Sequence, residues 1–393
     1  LKRFLLGMCS GIIFCVIIAS TLIPLPTLLE FSAYAKHLRE NKGGLEVLVN
    51  LVDRNSNNYT TFLKDVPEQV LVTPTNESIP NTNPFPTMAN HSEKAKGLFG
   101  ISIGSTEREV LDTLGTPNRI DLTPYGYTWW IYNDNYKYYK QIAIKDHTVV
   151  SLYSVSPTWE FNSIKIGMPV TEIQKIYSLK DSVSLDFEDA NFLVHVKQSY
   201  DNKKYVAIDN QMAIEFYIDI HDNHKLSGIR ISDYATFLAT GGYSMEWSYY
   251  RNAPSFKALP LSANDFEIVN RAHERQILDI TNAIRVRHQL QPLQWSGKVS
   301  DIARNHAHDM LTNGYFDHVS PTHGKLSNRF NRAKVGYRMI AENIAAGQQD
   351  AIEAVEAWMN SEGHRVNMLH KNYTHLGVGV IEKHYAQNFL VPY

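Results

Sequence analysis

Residues 303–321 read ARNHAHDMLTNGYFDHVSP, and the order of residue types in this stretch sets the architecture of the last third of the chain. Val299, Ile302, Ala303, His306 and Met310 fall on one face of a helix running from about Ser296 to Asn313. Gly314 is a natural stop for it. His306 lies on the apolar face and reads as a core histidine, whereas His308 and His323 read as surface groups. Upstream, DFEIVNRAHERQILDITNAIRVRHQL places Ile277, Ile280 and Ile284 at near-helical spacing. Downstream, Leu326, Phe330 and Ala333 mark a third amphipathic helix. A fourth, Asp350 to Asn360, buries Ile352, Val355, Trp358 and Met359. The strand-like LGVGVI and YAQNFLV close the chain, so helices gathered around a small sheet predict an α/β/α sandwich.

A chain of 393 residues is too long for one ordinary core and predicts two domains plus linkers. The net charge of −2 gives no pull toward nucleic acid, and no nucleic-acid partner is expected. Both cysteines, Cys9 and Cys15, lie in the first hydrophobic stretch, so no disulfide framework holds the folded part. That stretch has Lys2 and Arg3 ahead of an apolar run from Phe4 to Ile23, the roughly 20 residues a bilayer-crossing helix needs. The positive flank stays cytoplasmic. Residues 1–35 are therefore expected to be a single-pass membrane anchor, with the rest of the chain on the extracytoplasmic face. The alternative is a signal segment cleaved near Ala33-Tyr34-Ala35, releasing a secreted protein. No lipobox cysteine follows the run. Residues 36–96, rich in Pro, Asn, Thr and Ser over 72–92, read as a flexible linker.

Between 97 and 240 an internal repeat stands out. ISIG at 101–104 and IKIG at 164–167 each open a strand, a glycine turn and a helix, with Glu109 matching Glu172 and Val110 matching Ile173 at one offset. Thr106-x-x-Glu109 predicts a capping box. Alternating apolar strands follow each copy: YTWWIY and QIAIKDHTVVSLYS, then FLVHV, MAIEFYI and LSGIRI. The expectation is a duplicated domain of helix plus antiparallel sheet, which makes the whole chain α+β. Trp129, Trp130, Tyr132, Tyr136, Tyr138 and Tyr139 read as strand-core packing rather than a glycan platform, and His221, Asp222 and His224 as a polar hairpin turn. Residues 241–270 read as a connector.

Five blocks then carry a family: TNAIRVRHQLQPLQW, ARNHAHDMLTNGYFDHVSP, AENIAAG, AWMNSEGHRVNML and THLGVGV. Their order and spacing resemble bacterial CAP domains (SCP-like, cysteine-rich secretory protein, antigen 5, pathogenesis-related 1) over 271–393. The repeat over 97–240 resembles the CAP-associated N-terminal domain, and its rhythm is also similar to small SmpA-type modules. Ala341 stands where the family usually shows glycine before Glu-Asn-Ile.

The resemblance implies a cleft with two histidines and two acids: His318, Glu342 and His364, with Glu362 or its rival Glu356 as the second acid. Asn343 and Arg365 are expected to hold the cleft in shape. Two imidazoles and carboxylates suit Zn²⁺ with an open coordination position, through His318, His364 and Glu342. The same set can also stay metal-free and titrate between about pH 5 and 8. No HExxH is present, and neither Ser320 nor Ser361 has a nucleophile-elbow context. The resemblance implies a binding or interaction module at the bacterial cell envelope, with a lipid, a wall polymer or an exported protein as ligand. The alternative it leaves open is a Zn-dependent hydrolase acting on envelope material. The basic run Lys325, Arg329, Arg332, Lys334 and Arg338 reads as a solvated helix face, with attraction of anionic polymers as the other option.

Overall fold

The first capping box forms as its spacing dictates. Helix α1 (Glu107–Leu114) starts at Thr106, whose hydroxyl accepts from the Glu109 amide at 3.2 Å while the Glu109 carboxylate accepts from the Thr106 amide at 2.7 Å. After it come β1 (Arg119–Leu122), β2 (Thr128–Tyr132), β3 (Lys140–Lys145) and β4 (Thr148–Ser154). The second copy holds α2 (Val170–Ile176), β5 (Ser182–Phe187), β6 (Ala190–His195), β7 (Lys204–Asp209), β8 (Met212–Asp219) and β9 (Lys225–Asp233). Then follow α3 (Tyr234–Thr240) and β10 (Ser244–Tyr249), a strand inside the stretch read as connector. The computed structural model describes residues 98–196, 203–251, 256, 258 and 260–393. The expected membrane segment 1–35, with Cys9 and Cys15, and the expected linker 36–96 lie outside the described residues. Among the described residues no helix is long and apolar enough to cross a membrane.

Backbone hydrogen bonds repeat along with the sequence. The Gly104 and Glu107 amides donate to the carbonyls of Val149 and His147, and the Gly167 and Val170 amides donate to those of Leu226 and His224. Each glycine turn therefore docks on the hairpin that ends its own copy. Both hairpins turn through a pair of residues with positive φ, Asp146–His147 and Asn223–His224, residue types that tolerate this region better than most. His221, Asp222 and His224 are thus turn residues, with the Asp222 carboxylate 2.9 Å from Lys225 Nζ.

The two copies meet at β4 and β9, giving one antiparallel sheet in the order β1-β2-β3-β4-β9-β8-β7; a smaller sheet runs β10-β6-β5. One face of the large sheet packs Trp130, Tyr132, Ile142 and Phe216 against Val110 and Ile173 of the domain's own helices. The opposite face turns Trp129, Ile131, Tyr139, Tyr153 and Tyr217 into the core of the C-terminal domain. A sheet covered on both sides explains why its strands are apolar without a clean alternation. Four of the six aromatics considered above are buried core; Tyr138 is exposed, and the Tyr136 hydroxyl reaches Asp279 at 3.3 Å.

The C-terminal domain is built from α4 (Ala263–Arg287), β11 (Gln294–Trp295), α5 (Gly297–Asn313), α6 (Leu326–Arg332), β12 (Met339–Ala346), α7 (Ala351–Asn360), α8 (Glu362–Met368), β13 (His375–Ile381) and β14 (His384–Val391). Its sheet runs β11-β13-β14-β12. Ala303 and Met310 of α5 cover Ile344 and Ala386 on one face. Ile277, Ile280 and Ile284 of α4, with Val355 and Trp358 of α7, cover Leu376, Val378 and Val380 on the other. This is the expected α/β/α sandwich. Helix α5 begins after Ser296 and ends at Gly314, which takes φ 64°.

The outer side of the α4/α7 layer carries the large sheet of the N-terminal domain, and buried charges stitch the two together. Lys204 Nζ lies 2.6 Å from Glu353 and 3.2 Å from Glu215; Arg230 pairs with Asp350; Arg119 lies 2.9 Å from Asp279. At the α7–α8 junction, Asn360 accepts from the Ile220 amide at 2.9 Å and donates to the Ile218 carbonyl at 2.8 Å. Next to it, Arg365 of α8 pairs with Asp219 at 2.8 Å.

Candidate functional site

The segment 314–322 presents His318, and Asp309 in the last turns of α5 anchors it. Asp309 accepts from Asn313 Nδ2 at 2.8 Å, from Thr322 Oγ1 at 3.2 Å and from the Tyr315 hydroxyl. Ser320 is buried, and its Oγ accepts from the amides of Thr322 and His323 at 3.1 and 2.7 Å. That hydroxyl closes a turn. The loop is therefore held from beneath, while the His318 side chain at its tip stays 51% exposed.

Glu342 stands on β12 with only 3% of its side chain exposed. His318 Nδ1 lies 3.0 Å from its Oε1, and Arg329 Nη2 donates to Oε1 and Oε2 at 2.8 and 2.9 Å. The same Nη2 also reaches the His318 carbonyl at 3.2 Å. This corrects the reading of the basic run. Lys325, Arg332, Lys334 and Arg338 are exposed, but Arg329 is buried and points into the cleft. The reason lies in its register, since Arg329 follows Leu326 by three positions and shares the inward face of α6 with it. His306 is also nearer the site than a plain core residue. Its Nε2 lies 3.1 Å from the Asp317 carbonyl and 3.8 Å from Glu342 Oε1. Burial, opposed by the Glu342 charge, holds its pKa below the ordinary histidine value.

The backbone of His364 is held by Asn343, the next residue on β12. Asn343 Nδ2 donates to the His364 carbonyl at 3.1 Å and to Gln387 Oε1 at 2.9 Å, while its own Oδ1 accepts from Asn367 at 2.9 Å. The two rival acids are placed elsewhere. Glu362 is exposed at the first position of α8. Gly363 is helical rather than a turn, so Glu362 and His364 project about 200° apart. Glu356 is buried in α7 against the N-terminal domain and accepts from the Tyr153 hydroxyl at 3.0 Å.

Burial pushes the Glu356 carboxyl up to about 7, with the nearby Arg287 charge opposing the rise. A raised acid pKa means that the folded state holds its proton longer than the unfolded chain. Stability therefore falls as pH climbs from the ordinary glutamate range through about 7, and the loss is complete above it. Glu356→Gln is expected to remove that fall, which is on the order of 3 kcal/mol. Urea unfolding at pH 5 and pH 8 checks it: an equal pH dependence in variant and parent contradicts the assignment.

Zn²⁺ would meet a cation already in place at this donor set. A metal on Glu342 at about 2.1 Å would stand at most about 5 Å from Arg329 Nη2. At an effective dielectric of about 20, a dication and a guanidinium at that distance repel by about 7 kcal/mol, offsetting much of the carboxylate's attraction. With Glu342 withdrawn, His318 and His364 are fewer than the three protein ligands typical of a catalytic zinc site. Among the described residues no three His, Cys, Asp or Glu side chains converge so as to hold a metal ion. The residues present do not fit a resident dication.

A sandwich of this topology, with the FDHVSP loop histidine set on the AENI glutamate, defines a CAP-type module docked on a duplicated companion domain. Residues 103–243 match the CAP-associated N-terminal model and residues 278–393 the cysteine-rich secretory protein family. YlbC of Bacillus subtilis (strain 168), described as an uncharacterized membrane protein, is 35% identical over 294 residues, which is 75% of this chain and 83% of that protein. YkwD of the same organism, also uncharacterized, is 45% identical over 111 residues, 28% of this chain and 43% of that protein. Among solved structures, an extracellular protein containing a SCP domain from Bacillus anthracis str. Ames matches with TM-score 0.68 at 30% identity, covering 81% of this chain and 99% of that one. A cysteine-rich secretory protein from Staphylococcus aureus subsp. aureus Mu50 shares the fold, with TM-score 0.65 at 20% identity over 76% of this chain and 94% of that one. The chain belongs to the bacterial CAP-domain proteins that carry a CAP-associated N-terminal domain.

Proposed function

We propose that this protein is a recognition module on the extracytoplasmic face of the cell membrane, tethered through residues 1–35. It binds an envelope ligand at the His318 cleft. The tether reading draws support from the Lys2-Arg3 flank of the apolar run, and from relatives described as a membrane protein and an extracellular protein.

One observation carries the binding reading. His318 is flanked by two large apolar side chains left in solvent, Phe316 at 54% and Val319 at 47% exposed, on a loop whose Asp317, Ser320 and Thr322 side chains are each hydrogen-bonded within the protein. An accessible imidazole with exposed apolar side chains near it in the loop suits a ligand that brings an apolar group next to a hydrogen-bond donor. An exported protein or a lipid meets that description better than a polar wall polymer. Hydrolysis draws no such support, because the one hydroxyl in the loop motif, that of Ser320, is consumed in a turn.

The test is photocrosslinking in cells from a benzoylphenylalanine placed at Phe316, with the exposed Arg108 position on α1 as control. A discrete adduct from position 316, absent from position 108 and weakened by His318→Ala, is the expected result. Equal labelling from the two positions rules the cleft out as the recognition site.

A further inference from the structure

We propose that Arg329 is the resident cation of this cleft: its guanidinium saturates Glu342, which then orients the His318 ring instead of ligating a divalent metal.

The geometry places a cation, a carboxylate and an imidazole in series. Arg329 and Glu342 are both buried, at 4% and 3% side-chain exposure, and one guanidinium nitrogen spans both carboxylate oxygens. Among the described residues, Arg329 Nε and Nη1 have no hydrogen-bond partner. The guanidinium is thus held in the interior by Glu342 and the His318 carbonyl, and keeping a charge there demands that the carboxylate remain its partner.

The third contact on Glu342 decides the tautomer of His318. A carboxylate only accepts, so the proton is assigned to Nδ1, 3.0 Å from Oε1. The lone pair of Nε2 then points away from Glu342, on a ring that is half exposed. That atom is the accessible acceptor of the cleft and suits a ligand hydroxyl or amide N–H. His306 does not compete, because its Nε2 is directed at the Asp317 carbonyl and its Nδ1 lies 3.5 Å from the Tyr315 hydroxyl. Arg329 and Glu342 are positioning residues on this view; His318 is the group a ligand meets. The inference stands apart from the recognition reading, since crosslinking at Phe316 can fail while this geometry holds.

The experiment is a calorimetric titration of Zn²⁺ into the purified full chain and into its His318→Ala variant. It is paired with ¹⁵N NMR of histidine-labelled protein to read the His318 tautomer. Superimposable heats are expected, with His318 protonated at Nδ1 and unmoved by zinc. A micromolar site present in the full chain and absent from His318→Ala overturns the proposal. Arg329→Met removes the competing charge and is expected to make a His318-dependent zinc heat appear that the parent lacks. A folded Arg329→Met protein that takes up zinc no better than the parent shows that Arg329 is not the excluding group. Should that variant fail to fold, the NMR measurement on the parent decides: a His318 ring protonated at Nε2 refutes the arrangement.

Discussion

Replacing Lys204 with Met lowers the unfolding midpoint of the chain by on the order of 10 °C, because it leaves two buried carboxylates without the cation they share. Lys204 is 2% exposed and lies 2.6 Å from Glu353 of α7 and 3.2 Å from Glu215 of β8. Desolvation alone would drive its ammonium toward neutrality. The two carboxylates outweigh that, and its pKa lies above the ordinary lysine value. Removing one partner of such a group costs about 3–5 kcal/mol, more than the pair contributes over an apolar replacement, because the remaining charges stay buried. The Tyr217 and Tyr243 hydroxyls also donate to these carboxylates and soften the loss without supplying charge. The double variant Lys204→Met/Glu353→Gln is therefore expected to recover part of the midpoint. A thermal scan showing Lys204→Met unchanged would mean that the two domains do not dock through this cluster.

That cluster also shows where the sequence stops being readable. Lys204 and Glu353 are 149 positions apart, and Arg119 and Asp279 are 160 apart. Nothing in the local pattern of either segment announces its partner, and a buried ion pair looks like a surface charge until the fold closes. Local signals fared better. Thr106-x-x-Glu109 formed its capping box, and Gly314 stopped α5 in a left-handed conformation. The offset that aligned ISIG with IKIG reappeared as matched backbone hydrogen bonds. His318 and Glu342 came from motif resemblance, and their contact at 3.0 Å is a fact only the fold supplies.

Arg329 lies between these cases. Its charge suggested solvent, yet its position three residues after Leu326 and just before Phe330 put it on the buried face. Helical register carried the signal, and the charge hid it. Glu356, read as a rival cleft acid, is instead buried four residues after Ile352 in α7, a helix buried along nearly its whole length. What the register could not tell is that the outer side of α7, where Glu356 meets Tyr153, packs on a second domain. The strand β10 is a different case: SMEWSY does alternate polar and apolar residues, yet the stretch was read as connector, and its Trp247 and Tyr249 stay half exposed, so the alternation marks a strand without a buried face.

Gly379→Ala is expected to disturb the site more than any conservative change in the cleft itself. The alternation in LGVGV puts Val378 and Val380 toward α4 and α7, leaving Gly377 and Gly379 to face α5. A Cβ on Gly379 would stand 2.0 Å from Arg304 N and 2.3 Å from Ala303 C; one on Gly377 would stand 2.2 Å from Ser300 N. These are backbone atoms, so no side-chain rotation relieves the clash, and α5 must move off the sheet. Helix α5 is fixed to that sheet by the Ser300 hydroxyl, which donates to the Val378 carbonyl at 2.6 Å. It also carries His306 and Asp309, the groups beneath the His318 loop. Overpacking of this kind costs about 3 kcal/mol, and the displacement loosens the loop as well as the core. Gly363→Ala supplies the contrast. That glycine is helical, with nothing within 4 Å of its would-be Cβ, although it sits beside His364. There alanine is expected to stabilise by about 0.5–1 kcal/mol through helix propensity. Urea unfolding of the two variants, together with the His318 ¹⁵N shifts, separates the cases. Gly379→Ala should lower stability and shift His318, and Gly363→Ala should raise stability and leave His318 in place. A Gly379→Ala protein as stable as the parent would show that α5 does not rest on the sheet at this glycine, and that the His318 loop takes its position from elsewhere.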